Sequence, residues 1–483
     1  MAAASLAHQL PAAGRHALGM RGQPPSRRLA APASPLPSRA PAPGKATRGS
    51  RRYGLRTAAA RLGGARGRGG GCGPLRAVPG DERANITMSI SVVDSIASVS
   101  KEEWDACAMG SGEYNPFLSH AFLQILEESG SACREEGWAP QHVLARDDSG
   151  ALMGCVPMYL KGHSYGEYVF DNSWAQAYQN TGNQYYPKLQ SCVPFTPVTG
   201  SRLLIADGPY RGEIRSALAS ALTQVADAVG VSSLHVTFNT EEEWEEMRER
   251  GFLARTGVQF HWENHDYKSF DDFLMELKQS KRKNIRQERK KVAAAGIVVK
   301  KLRGAEIERR HWDAFYGFYL DTTSRKWGQA YLTEEFFTLL GERMAEDVLL
   351  VVAEEAETGA VVAGALNLIG SAALYGRNWG CEKRYKNLHF ELCYYAAIEA
   401  AIEWGLPRVE AGAQGEHKIQ RGYLPSKTYS SHFIRNPGFA GAVDEFLEKE
   451  REGIDNAIDK LMEQSPFKEG LLEARDFLRS GRG

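Results

Sequence analysis

VLLVVAEEAETGAVVAGALNLIGSAALYGRNWG, residues 348–380, decides the fold. An apolar strand runs into an acidic turn that ends in Thr358-Gly359, and two further strands follow. Short β-branched runs punctuated by turn chemistry read as an antiparallel meander. Downstream, CYYAAIEAAIEWG (393–405) has helical periodicity, with Leu388, Leu392, Tyr395 and Ile402 on one apolar stripe. Gly405 and Pro407 are stop signals for that helix. LPRVEAG then reads as a strand, EHKIQRGY as a polar helical stretch, and YSSHFI as a last strand.

The same order occurs earlier. HVLARDDSGALMGCVPMYLKGHSYGEYVF (142–170) reads as three strands. SALASALTQVADAVG reads as a helix ending at Gly230, and VSSLHVTF as a strand. EEMRERGF reads as a polar helix, and VQFHW as a strand. Seven elements in one order, twice, imply a duplicated α/β unit: a mixed, mostly antiparallel sheet covered by helices.

The front of the chain differs. Residues 1–80 hold thirteen Arg, one Lys and no Asp or Glu. An Arg- and Ser-rich, acid-free leader reads as an organelle transit peptide, chloroplast ahead of mitochondrion because Ala, Ser and Pro dominate. The 59 basic and 59 acidic residues of the whole chain become 45 and 59 without it, a net charge of −14. That excludes a global attraction to nucleic acid or anionic membrane. Seven cysteines without a CxxC spacing point to neither a disulfide framework nor a zinc site. No apolar run reaches membrane-spanning length. The expected organisation is a first unit over 85–265, a second over 266–437 with a basic helix at 272–294, and a C-terminal helical segment over 438–483. In that last segment Gly453 is a candidate break.

Meander, helix, strand and helix ending in Gly-aromatic resemble the GNAT, or acyl-CoA N-acyltransferase, superfamily. Two such units in tandem resemble the Fem-type aminoacyl transferases. The strings PFLSHAFLQILEESGSA (from Pro116), YLKGHSYGEYVFDNSWAQAY (from Tyr159), YYPKLQSCVPFTPVTGSRLL (from Tyr185), LKQSKRKNIRQERKKV (from Leu277), LHFELCYYAAIE (from Leu388) and EAGAQGEHKIQRGYLP (from Glu410) resemble a FemAB-like family named for peptidoglycan biosynthesis/recognition. The resemblance spans roughly residues 112–445. It implies transfer of an acyl or aminoacyl group from acyl-CoA or aminoacyl-tRNA to an amine, with no metal and no tightly bound cofactor. It implies a small-molecule or peptide amine acceptor, with tRNA as a further partner.

The resemblance also places a donor's phosphates at the helix following the third strand, within GRNWGCEKRYKNLHFE (376–391). A helix N-terminus favours an anion through its free N–H groups and dipole. Arg384 and Lys386 add charge there, and Asn387 is the candidate cap. Residues 383–388 contain no glycine, unlike the usual GNAT pyrophosphate loop; a recognition module without catalysis is therefore the competing reading. Amide formation needs a base and a stabilised oxyanion. Glu410, Glu416 and His417 are the candidate bases, and Lys418 and Arg421 the candidate holders of a carboxylate or phosphate. The competing structural reading is a short helix with an acid in its first turn and a cation in its last. Eight cations within 278–291 put Lys278, Arg282 and Arg286 on one helical face, a candidate anion site, against a buried stripe of Leu274, Leu277, Ile285 and Val292. An aromatic–polar loop supplies Asp171, Trp174, Tyr185, Tyr186 and Lys188 as candidate acceptor-groove residues.

Overall fold

The computed structural model describes residues 87–326, 329–412, 415–472 and 475. The expected transit peptide lies outside them. The first half supplies β1 (Met88–Val93), β2 (Trp138–Pro140), β3 (His142–Asp147), β4 (Leu152–Val156), β5 (Met158–Lys161), β6 (Lys188–Ser191), β7 (Leu204–Ile205), β8 (Ser233–Asn239) and β9 (Leu253–Glu263). The second supplies β10 (Ile297–Arg303), β11 (Val348–Glu355), β12 (Val361–Ile369), β13 (Ala373–Cys381), β14 (Arg408–Glu410) and β15 (Leu424–Ile434).

The second meander forms as expected: β11, β12 and β13 are antiparallel neighbours. The first departs from expectation. Residues 165–171 form no strand; the third member of that meander is β6, beyond an inserted helix Asn172–Asn180. Pro157, which has no N–H to give a ladder, separates β4 from β5. β4 stays in a four-stranded sheet, β1-β3-β4-β7, and β5 joins an eleven-stranded one. The unbroken β12 occupies the corresponding place in the second half.

The large sheet runs β10-β11-β12-β13-β14-β9-β15-β8-β6-β5-β2. Each half contains one parallel pair, β6 with β8 and β13 with β14, joined by a covering helix. Those helices are Arg211–Val229 and the composite run 388–403, and both end at a glycine in the left-handed region, Gly230 at φ 79° and Gly405 at φ 65°. Their apolar faces bury against the strands: Leu218 and Leu222 near Leu189 and Leu234, and Leu392 and Tyr395 near Val351 and Val409.

The last strands are exchanged between the halves. β9, the end of the first half, pairs with β14, and β15, the end of the second, pairs with β8. β9 and β15 also pair with each other, Leu424 opposite His261 and His432 opposite Leu253, so that ladder reads alike from either end. Corresponding positions follow: His235 faces His432 across β8 and β15, as Glu410 faces His261 across β14 and β9. The chain boundary near residue 265 therefore separates segments but not sheets.

The basic stretch is two helices, Phe270–Glu276 and Gln279–Ala294, broken at Leu277 and Lys278. All four residues of its apolar stripe are buried. The C-terminal helix Pro437–Met462 passes through Gly453 unbroken. No helix among the described residues is long and apolar enough to cross a membrane.

Candidate functional site

β13 and β14 pair over only three positions, ending at Tyr375 opposite Glu410. β13 continues to Cys381 while the other chain turns away, so a wedge opens beyond that pair. Val409 is fully buried and Glu410 is 3% exposed, the alternation a strand imposes. Arg408 Nε donates to Glu410 Oε1 at 2.9 Å. Glu410 Oε2 is buried without a hydrogen-bond partner among the described residues, and His261 Nε2 lies 3.8 Å from it. Burial lowers the His261 pKa, with Glu410 opposing. Burial raises that of Tyr375, and Glu410 adds to the rise.

The turn after β14 separates its ionisable groups. Gly415 is at φ 119°, and a Cβ there would approach the His417 ring within 2.5 Å, so only glycine fits. Residues Glu416–Arg421 form a 3-10 helix that sends alternate side chains to different environments. Lys418 is 1% exposed; its Nζ donates to the Gly412 carbonyl at 2.8 Å. No carboxylate partners Lys418 among the described residues, and burial brings its pKa down to about 7. Lys418 Nζ lies 5.9 Å from the centre of the Phe260 ring.

His417 turns the other way. Its Nε2 meets Tyr394 Oη at 2.8 Å, among the rings of His389 and Phe390, and burial lowers its pKa. Glu416 is exposed. Arg421 is already engaged: it donates to both oxygens of Glu288 (2.9 and 3.1 Å) and to the His417 carbonyl, and its guanidinium sits 3.4 Å from the centre of the Phe390 ring. It crosslinks the basic helix to the turn, which corrects its reading as a free anion holder.

The composite helix over 388–403 holds a π-helical turn at Glu391–Tyr395, a feature frequent at functional sites. Asn387 stands at its N-cap position in the left-handed region (φ 69°), but its side chain makes no capping bond, contrary to expectation. Asn tolerates that conformation better than most residues, so the backbone geometry accounts for its place. Arg384 and Lys386 are exposed just before it.

The candidate anion residues of the basic helices have partners of their own. Lys278 Nζ donates to the Ser465 carbonyl, and Arg282 to the carbonyls of Met275 and Leu277, closing the helix break. Arg286 pairs with Asp271 at 2.8 Å in the open, where such a pair is weak.

Four of the five candidate acceptor residues, Asp171, Trp174, Tyr185 and Lys188, are interior, a correction to the expected groove. Lys188 is fully buried, with Glu167 and Asp171 at 2.7 and 2.5 Å. Tyr185 Oη donates to Asp171, and His235 meets His432 at 2.8 Å. Trp174 packs against the His432 ring, and half-buried Tyr186 meets Ser164. Burial pushes Glu167 up to about 7. Burial likewise raises Asp171, but Lys188 and His235 pull it below the usual carboxylate range. This is the first half's counterpart of the Glu410 junction, filled by its own charges.

The sequence reading passed over Arg377, Arg408, Tyr375 and His261. Arg377 stands inside the quoted stretch 376–391, but a strand-end arginine has no periodic signature. A cavity of about 440 Å³ lined by Trp244, Thr256 and Tyr429 lies along β9 and β15, away from this cluster. No group of three or more His, Cys, Asp or Glu is placed to hold a metal among the described residues.

No curated protein matches the chain. The crystal structure of FemX is similar at 11% identity over 72% of this chain and 98% of that one, TM-score 0.46. L-PGS from Bacillus licheniformis is similar at 11% over 69% and 98%, TM-score 0.43. A tandem GNAT protein from the clavulanic acid biosynthesis pathway is similar at 12% over 72% and 99%, TM-score 0.40. A family model matches residues 95–469, most of the chain, and by that match the protein belongs to the FemAB-like family of peptidoglycan biosynthesis/recognition.

Proposed function

We propose that the protein transfers an acyl or aminoacyl group from an activated donor, acyl-CoA or aminoacyl-tRNA, directly to an amine. One observation carries this reading. Glu410 ends β14 where β13 and β14 part, with a buried oxygen that has no hydrogen bond among the described residues, and Lys418, a buried amine with no carboxylate partner among them, follows in the next turn. Buried ionisable groups without full pairing are costly, and such cost collects at functional sites.

In the proposed step the amine nitrogen attacks the donor's carbonyl carbon. The C–N bond forms, the thiolate or ribose oxygen leaves, and the amine's surplus proton passes to Glu410 Oε2. Lys418 fixes the Gly412 carbonyl and, near neutral pH, is a second proton acceptor. Arg384 and Lys386, exposed before the helix N-terminus, are the donor's phosphate contacts. The test uses purified protein with CoA thioesters and aminoacyl-tRNAs, product mass as readout, and Glu410→Gln beside wild type. Binding without any product from any donor would overturn it.

A second reading is a recognition module for peptides or glycans. The glycine-free stretch 383–388 favours it, because side chains there keep a pyrophosphate from the backbone. Donor-independent peptide binding without turnover would support that reading over transfer. We place the protein in an organelle, the chloroplast ahead of the mitochondrion; a fluorescent fusion of residues 1–80 tests the address.

A further inference from the structure

The C-terminal helix Pro437–Met462 packs along β9 and β15. Thr256 on β9 stands opposite Tyr429 on β15, so both side chains leave the sheet on one face, together with Lys427 two residues earlier. With Trp244 on the helix Glu241–Glu249 they line the cavity of about 440 Å³. Glu448, Arg451, Glu452 and Asp455 line it from the C-terminal helix, at the i, i+3, i+4 and i+7 spacing of one helical face.

The charges in this lining do not balance. Four acids, Glu241, Glu448, Glu452 and Asp455, meet two cations, Lys427 and Arg451. Lys427 pairs with Asp455 at 2.6 Å, and Arg451 donates to the Ala254 carbonyl. Glu241 accepts from Tyr429 Oη at 2.6 Å. Glu448 and Glu452 have no hydrogen-bond or ion-pair partner among the described residues. Two carboxylates one helical turn apart repel each other unless a cation joins them.

The remaining walls suit the same occupant. The Trp244 and Tyr429 ring centres lie 5.3 Å apart at 53°, a corner of two aromatic faces, and such faces attract organic cations. Arg248 already lies 5.9 Å from the Trp244 ring centre. Thr256 is 7% exposed, and its Oγ1 has no hydrogen-bond partner among the described residues; neither has the buried Nε1 of Trp244. The hydroxyl can accept from an ammonium, whereas the indole N–H can only donate and calls for an oxygen. No group of three or more His, Cys, Asp or Glu among the described residues is placed for a metal, which favours an amine over a metal ion.

We infer that this cavity binds a small organic dication that carries two amines and a carbonyl or hydroxyl oxygen. Its volume falls within the range of small-molecule sites. The inference goes beyond group transfer and stands without it, since none of the lining residues belongs to the Glu410 junction.

Ligand-observed NMR on the full chain tests it at about pH 6.5, where an α-amine is protonated. The probes are lysinamide, norleucinamide (which lacks the second amine), cadaverine (which lacks the oxygen) and magnesium chloride. Lysinamide should bind about tenfold or more tightly than norleucinamide, the size of one charge-assisted bond, and about threefold more tightly than cadaverine, the size of a neutral one. Glu448→Gln combined with Glu452→Gln, both at exposed positions, should erase the first preference. Trp244→Phe, which keeps a ring and removes the N–H, should erase the second; circular dichroism checks that each variant is folded. Equal binding of lysinamide and norleucinamide, no binding of either up to about 20 mM, a preference that survives the double change, or displacement of lysinamide by equimolar magnesium would each overturn the inference. Cadaverine binding as tightly as lysinamide would overturn the requirement for an oxygen.

Discussion

Replacing Lys418 by Met should make the protein more stable and less active. The Lys418 stem is buried, and its ammonium has one acceptor among the described residues, the Gly412 carbonyl at 2.8 Å. Burial holds its pKa at about 7, against an ordinary 10.5. A folded value below the unfolded one means the contribution is fully present above the unfolded pKa and lost as pH falls toward the folded pKa. From that difference the wild type forfeits about 4 kcal/mol at pH 7.5 and about 1 kcal/mol at pH 9.5. Met keeps the stem's volume and loses one hydrogen bond worth about 1 kcal/mol. The net gain at pH 7.5 is thus about 2–3 kcal/mol, or a rise in Tm on the order of 5 °C. Scanning calorimetry of both proteins at the two pH values measures it; the gap should nearly close at pH 9.5. Turnover should fall by about 10–100-fold, since a proton acceptor and the turn's anchor are both lost. A variant less stable by the usual cost of a core change, with a gap that does not depend on pH, would refute the picture of an unpaired buried amine.

Glu410→Gln should lower kcat about 100-fold or more while circular dichroism stays native, because the exchange preserves shape. Lys188→Met leaves Glu167 and Asp171 buried without their cation and should cost about 3–5 kcal/mol in thermal unfolding, with donor affinity unchanged. Arg384→Ala with Lys386→Ala should raise the donor KM severalfold and flatten its salt dependence, with kcat held. Glu288→Gln weakens the pair that fastens Arg421 and should raise hydrogen exchange across residues 416–421, at a cost of about 1–3 kcal/mol.

Much of the layout is legible in the chain. Strand alternation, the Thr358-Gly359 hairpin, and the glycine stops at 230 and 405 are local signals, each carried by neighbours within a few residues. They establish two like units and the burial of the 274–292 stripe. The repeat also marks residue 410 as a strand end pointing opposite to Val409. Glu410 could thus be picked out by counting. Arg377 could not, since its bulge exists only where β12 and β13 fall out of step.

What tertiary structure decided lies between distant segments. The exchange of β9 and β15 joins residues 149 apart (Glu410 and His261) and 197 apart (His432 and His235), and no local period encodes which edge a strand will choose. That exchange brings His261 to Glu410 and His432 to His235. Composition made Lys188 and Asp171 look like ligand contacts and Arg421 like a free cation. Whether a charge is spent on a partner depends on what folding delivers beside it, here Glu167 to Lys188 and Glu288 to Arg421, and only a backbone carbonyl, among the described residues, to Lys418. The sequence supplies the ionisable groups; the packing of separate strands and helices determines which of them are left unpaired.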